Sequence, residues 1–127
     1  MRHETSRPRI VVVDDDSSVL SVVRRQLTTL GWEAFPAATA TEALAVLGLL
    51  NNVDALLTDL NMPLMDGVEL SHEVMRRFPK ITVVLMSGAA DAVVEQAPNP
   101  ENAILLRKPF SLQALAAALD TVRKRQE

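Results

Sequence analysis

Residues 9–16, RIVVVDDD, place four β-branched residues in an unbroken run and then turn abruptly to three consecutive acids. A strand with one wet face alternates apolar and polar residues. This one does not alternate, so it belongs in a sheet covered on both faces, and such sheets are mostly parallel and flanked by helices. Three acids where the apolar run stops mark the place where the chain leaves the core.

Working outward, the same grammar repeats. Residues 17–30 carry Val19, Val23, Leu27 and Leu30 at intervals of three or four, which predicts a helix with one apolar stripe, stopped by Gly31 in the left-handed conformation. A weaker strand follows over residues 32–37, with Trp32 packing at its edge. Thr39 and Glu42 have the T-x-x-E form of a capping box and predict a helix over residues 40–50. Residues 54–58 (DALLT) form the next buried strand and end at Asp59. Asp66 is placed to cap a helix over residues 67–78, which Pro79 ends. Residues 81–86 are a fourth strand closed by Ser87 and Gly88. Residues 90–97 allow about two helical turns before Pro98 and Pro100 forbid continuation. A short strand over residues 103–106 and a last helix capped by Ser111, with Leu115, Leu119 and Val122 on one face, complete the chain.

Five strand–helix units in 127 residues predict an α/β fold with a doubly wound, five-stranded parallel sheet. Strand order 2-1-3-4-5 is the compact option, as in flavodoxin-like folds. The expected organisation is one domain over residues 9–123, with a flexible tail over residues 1–8 and another over residues 124–127. There is no cysteine, so disulfides, thiolate metal sites and cysteine nucleophiles are excluded. Apolar runs fall far short of the roughly 18 residues a membrane span needs, and no secretory signal opens the chain. A cytoplasmic location without membrane attachment is the expectation. The net charge of −3 gives no reason to expect nucleic-acid binding.

Ligands of open α/β sheets sit at the carboxyl ends of the strands, near the reversal of strand order. Those ends carry Asp14, Asp15 and Asp16, then Asp59, then Ser87, and finally Lys108. Asp16 reads as a cap for the following helix. If the first and third strands are neighbours, Asp14, Asp15 and Asp59 converge, and like charges at that distance cannot all stay ionised without compensation. A hard divalent cation supplies it: Mg²⁺ takes oxygen ligands and commonly joins one or two carboxylates to a phosphoryl oxygen. The ammonium of Lys108 and the hydroxyl of Ser87 complete a site suited to a phosphoryl group, with an Asp as a possible acceptor.

These residues resemble the receiver domain of bacterial response regulators. The match is carried by Val12-Val13-Asp14-Asp15-Asp16, by the run from Leu57-Thr58-Asp59 through Asn61-Met62-Pro63 to Asp66-Gly67, by Met86-Ser87-Gly88, and by Leu106-Arg107-Lys108-Pro109-Phe110. The resemblance implies that Asp59 is the phosphoacceptor and that Asp14, Asp15, Asp59 and the Asn61 carbonyl hold Mg²⁺ or Mn²⁺. Ser87 and Lys108 are then expected on the phosphoryl oxygens, and the Lys108–Pro109 peptide bond is expected to be cis. The implied partner is a sensor histidine kinase or a histidine phosphotransfer protein. The unit is expected to stand alone or to form part of a longer protein such as a hybrid kinase. It is read as a signalling domain rather than an enzyme, although it promotes its own phosphorylation and dephosphorylation.

Two positions depart from the family pattern. Leu105 stands where receivers usually carry Tyr or Phe as a switch residue. Residues 89–102 lack the usual Gly-rich turn, so a monomer or weak dimer is expected. Three other readings compete. A haloacid dehalogenase-type phosphatase also uses an Asp nucleophile and Mg²⁺, but its Thr and cap are missing here. A flavin-binding protein of the same topology would place its phosphate against three aspartates. A pseudo-receiver fits Leu105 but not the intact Asp15, Asp59 and Lys108. His72 and His3 have no partner at metal-binding spacing.

Overall fold

In the computed structural model, the described residues are 7–88 and 103–126. Strands β1 (Arg9–Val13), β2 (Glu33–Ala37), β3 (Ala55–Asp59), β4 (Thr82–Ser87) and β5 (Ile104–Arg107) form one parallel sheet in the order β2-β1-β3-β4-β5. Helices α1 (Ser17–Thr29), α2 (Ala40–Leu49), α3 (Gly67–Arg77) and α4 (Leu112–Arg125) cover both its faces. The expected fold class and strand order are therefore those observed. The helix expected over residues 90–97 lies outside the described residues.

The unbroken apolar strands are explained by two cores. Ile10 and Val12 of β1, with Leu57 of β3, pack under α1 and α4 against Val23, Leu27, Leu115 and Leu119. Val11 and Val13, with Leu56, turn to the other face and meet Ala43 and Leu47 of α2 and Leu70 and Val74 of α3. Successive residues of a strand thus feed opposite cores, and no position from Ile10 to Val13 can be polar without facing one of them. Truncating a fully buried leucine such as Leu57 to alanine removes about 2–5 kcal/mol. Trp32 lies just before the edge strand β2 but is 4 % exposed and belongs to the α1–α4 core. Pro36 has no N–H to donate, and its strand is at the sheet edge, where that loss is tolerated.

Local chemistry sets the helix ends. After α1, the Gly31 N–H bonds to the Thr28 carbonyl and the Trp32 N–H to the Leu27 carbonyl, with Gly31 at φ +88°. This is the paired closure a left-handed residue permits. Thr39 accepts from the Glu42 N–H, while the Glu42 side chain reaches one residue further back, to the Ala38 N–H. Asp66 and Glu69 form a reciprocal capping box at the start of α3.

Two boundaries differ from expectation in a way that matters. The chain does not leave the fold at Arg123: α4 runs on to Arg125, with Lys124 bridged to Asp120 one turn earlier. Gln126 then donates to the carbonyls of Asp54 and Lys80, tying the helix end to the sheet. At the other terminus Pro8 is buried and its carbonyl accepts from the Glu33 N–H, so the ladder begins before Arg9.

Candidate functional site at the carboxyl end of the sheet

The parallel register pairs Val13 of β1 with Thr58 of β3, so Asp14 and Asp59 leave the sheet side by side. Asp14 is 1 % exposed and Asp59 is 9 % exposed, whereas Asp15 faces solvent. One carboxylate oxygen from each of the three lies within 4.8 Å of the others. Among the described residues this is the only such group of metal-ligating side chains. Asp16 is absent from it because its carboxylate accepts from the Ser18 and Val19 N–H groups at the start of α1, the capping role read from sequence. The Asp16 N–H in turn donates to Asp14 Oδ1 at 2.9 Å, which fixes the Asp14 carboxylate.

Lys108 enters from the end of β5. Its Nζ lies 3.2 Å from Asp14 Oδ2 and 3.3 Å from Asp59 Oδ1, bridging the two buried acids. Burial raises the Asp59 carboxyl above its ordinary value; Lys108 opposes that rise and the neighbouring Asp14 charge adds to it. The ammonium of Lys108 is disfavoured by burial, yet the charges of Asp59 and Asp14 outweigh this and hold its pKa above the ordinary value. The site thus keeps its lysine charged while leaving the acid pair short of compensation. A hard cation with oxygen ligands suits that donor set.

Ser87 ends β4, one residue beyond the Met86 that pairs with Asp59, and its carbonyl accepts the Lys108 N–H at 2.7 Å. The main-chain bond between Ser87 and Lys108 fixes where the lysine stem starts. The Lys108–Pro109 bond is cis. Asn61 directs its backbone N–H at the Asp59 carboxylate. Leu105 is 44 % exposed on the edge strand β5, on the opposite face from the buried Leu106. His72 is exposed on α3, away from any metal-ligating group.

Two supporting residues went unread in the sequence. A Cβ on Gly67 would lie 2.3 Å from the Asp59 carbonyl oxygen, so only glycine lets α3 start against the backbone of Asp59. The Thr58 hydroxyl donates to the same carbonyl at 3.1 Å. Both stand in the family-like run from Leu57 to Gly67, but that run gave neither a role; the Gly directly after a capping Asp was a further signal for the first.

The sequence profile of the response regulator receiver domain matches residues 10–120. This chain belongs to the response regulator receiver family. It is 32 % identical over 120 residues to the sensor kinase CckA of Brucella abortus, covering 93 % of this chain and 13 % of that protein. It is 34 % identical over 121 residues to the transcriptional regulatory protein PrrA of Mycobacterium bovis, covering 94 % of this chain and 51 % of PrrA. The chain therefore spans about half, or much less, of the length of these relatives. Among solved structures, the signal receiver domain of an HD domain-containing protein from Pseudomonas fluorescens superposes with a TM-score of 0.85 at 28 % identity, over 95 % of this chain and 98 % of that one. A receiver domain protein from Clostridium thermocellum gives 0.81 at 27 % identity, over 94 % and 96 %. Receivers are signalling modules of two-component systems, and this one carries their acidic pocket, which can hold a metal ion. No helix among the described residues is long and apolar enough to cross a membrane.

Proposed function

We propose that this receiver takes a phosphoryl group onto Asp59 from a phosphohistidine of a sensor kinase or phosphotransfer protein, in a reaction that depends on Mg²⁺ or Mn²⁺. The observation that carries the reading is the convergence of three carboxylates with one lysine at a single sheet end. Asp14, Asp15 and Asp59, with the Asn61 carbonyl, hold the cation, which supplies charge neutralisation for the incoming phosphoryl oxygens. An Asp59 carboxylate oxygen forms the new O–P bond as the P–N bond to the imidazole breaks, and the imidazole leaves with the bonding pair. Lys108, held between Asp14 and Asp59, shifts its charge onto a phosphoryl oxygen, while the Ser87 hydroxyl donates to another. The Asn61 N–H steadies the Asp59 carboxylate for attack.

The functional unit is residues 9–123 with the remainder of α4, acting in the cytoplasm as a monomer or weak dimer. It serves alone or within a longer protein, as in the sensor kinase and regulator relatives. Leu105 gives the signal a packing route rather than an aromatic hydroxyl. The test is incubation with Mg²⁺ and acetyl phosphate, followed by intact-mass spectrometry and beryllofluoride titration. Modification is expected in the wild type and lost in Asp59→Asn and on chelation. An unmodified wild type that still folds would favour a pseudo-receiver, and turnover retained in Asp59→Asn but lost in Asp14→Asn would favour a phosphatase.

A further inference from the structure

The amino end of the sheet, opposite the acidic pocket, carries a groove of about 1260 Å³. It runs beneath β3 and β4, from the last turns of α2 and α3 to the end of α4. Its floor is apolar: Leu50, Val53, Met75, Phe78 and Ile81 are all half-buried there. Lys80 and Arg125 line its rim. The helices that end at this pole add Arg76 and Arg77 in the last turn of α3, and Arg123 and Lys124 in the last turn of α4. The acids on the same helix segments, Glu73 and Asp120, are already bridged to Arg76, Arg77 and Lys124. Asp54 in the groove wall is 8 % exposed and accepts the Arg9 N–H at 2.8 Å. Among the described residues basic side chains outnumber acidic ones at this pole, even though the chain as a whole is acidic.

Basic residues near helix C-termini complement the helix dipole, and that explains each cluster taken alone. It does not explain a half-buried apolar floor between two basic rims. We propose that this groove docks an acidic amphipathic segment of a partner polypeptide, with apolar side chains on the Leu50–Phe78–Ile81 floor and carboxylates against Lys80 and Arg125. Size and charge select this occupant. The groove exceeds the roughly 300–1,000 Å³ of small-molecule sites, and an apolar floor with charged rims is the helix-in-groove arrangement. Its concavity fits a peptide better than a flat lipid surface. The surface is separate from the Asp59 chemistry, so it stands or falls independently of phosphorylation.

The test is a titration of the isotopically labelled full chain with two synthetic peptides of equal length. Each carries a leucine stripe at helical spacing, one with Glu elsewhere and the other with Lys. The acidic peptide is expected to shift the amide signals of Leu50, Val53, Phe78, Ile81 and Gln126, and the basic one to leave them unmoved. The double variant Lys80→Glu/Arg125→Glu, with its melting checked, should bind the acidic peptide about tenfold or more weakly, and the wild-type complex should weaken with salt. Equal binding of both peptides, shifts confined to the acidic pocket, or no binding of the acidic peptide overturns the proposal. So do concentration-dependent shifts of the chain alone, which would point to a second copy, or tighter binding of anionic phospholipid vesicles through the same residues.

Discussion

The two ends of the sheet hold buried aspartates under opposite terms. At the amino end, Asp54 accepts the Arg9 N–H, its own N–H bonds to the Arg9 carbonyl, and its carbonyl receives Gln126. Each of these contacts ties β1, β3 and the end of α4 together. At the carboxyl end, Asp59 is packed beside Asp14 in a setting that raises its pKa, with one lysine shared between the two. The same residue type therefore supports the fold at one pole and strains it at the other. Carboxylates perturbed by burial and a like charge gather at functional sites.

Substitutions at the two poles put this contrast to the test. The largest effect is expected from Gly67→Ala, which drives a methyl into the Asp59 carbonyl and costs about 3 kcal/mol in urea unfolding. An unchanged midpoint would show that the start of α3 can retreat from Asp59. Next is Asp54→Ala, expected to lose about 2 kcal/mol because the Arg9 N–H is left without its partner. Asp59→Asn should move the other way and raise the metal-free melting temperature, by up to about 1 kcal/mol in stability. If Asp59→Asn and Asp54→Ala shift stability in the same direction, the contrast between the poles fails.

The pH dependence sharpens the last case. The folded-state pKa of Asp59 is raised above its ordinary value of 3.8, so the unfolded chain ionises first as pH rises. The stability that the protonated acid contributes is fully present below 3.8 and is lost as pH climbs through the folded-state value. The advantage of Asp59→Asn, measured with chelator present, should accordingly be seen at neutral pH and vanish below about 4.

Much of this was legible because it is local. Gly31, Thr39, Asp66 and Asp16 announce their roles through the residues within four positions of them, and unbroken apolar runs announce strands covered on both faces. Strand ends were misjudged by one residue. β4 extends through Ser87 and β5 through Arg107 because the ladder between them, not apolar periodicity, decides where pairing stops. Local pattern alone could not bring Lys108 to Asp14, 94 positions away; strand order and the family-like run around Lys108 did. The amino-end groove was not legible at all. Leu50 and Phe78 read only as the ends of two predicted helices, and only the fold brings them under β3 and β4. Residues 124–127 read as a flexible tail for the same reason, because the bond from Gln126 to Asp54 spans 72 positions.

Gly67 allows one further conclusion. Its N–H bonds to the Leu60 carbonyl, and its Cα rests against the Asp59 carbonyl with no room for a side chain. The Asp59 main chain and the first turn of α3 therefore share one wall. Any movement of the Asp59 backbone must carry that turn with it or pull away from it. The absence of a single methyl makes the loop between them a short mechanical linkage, with its pivot at residue 67.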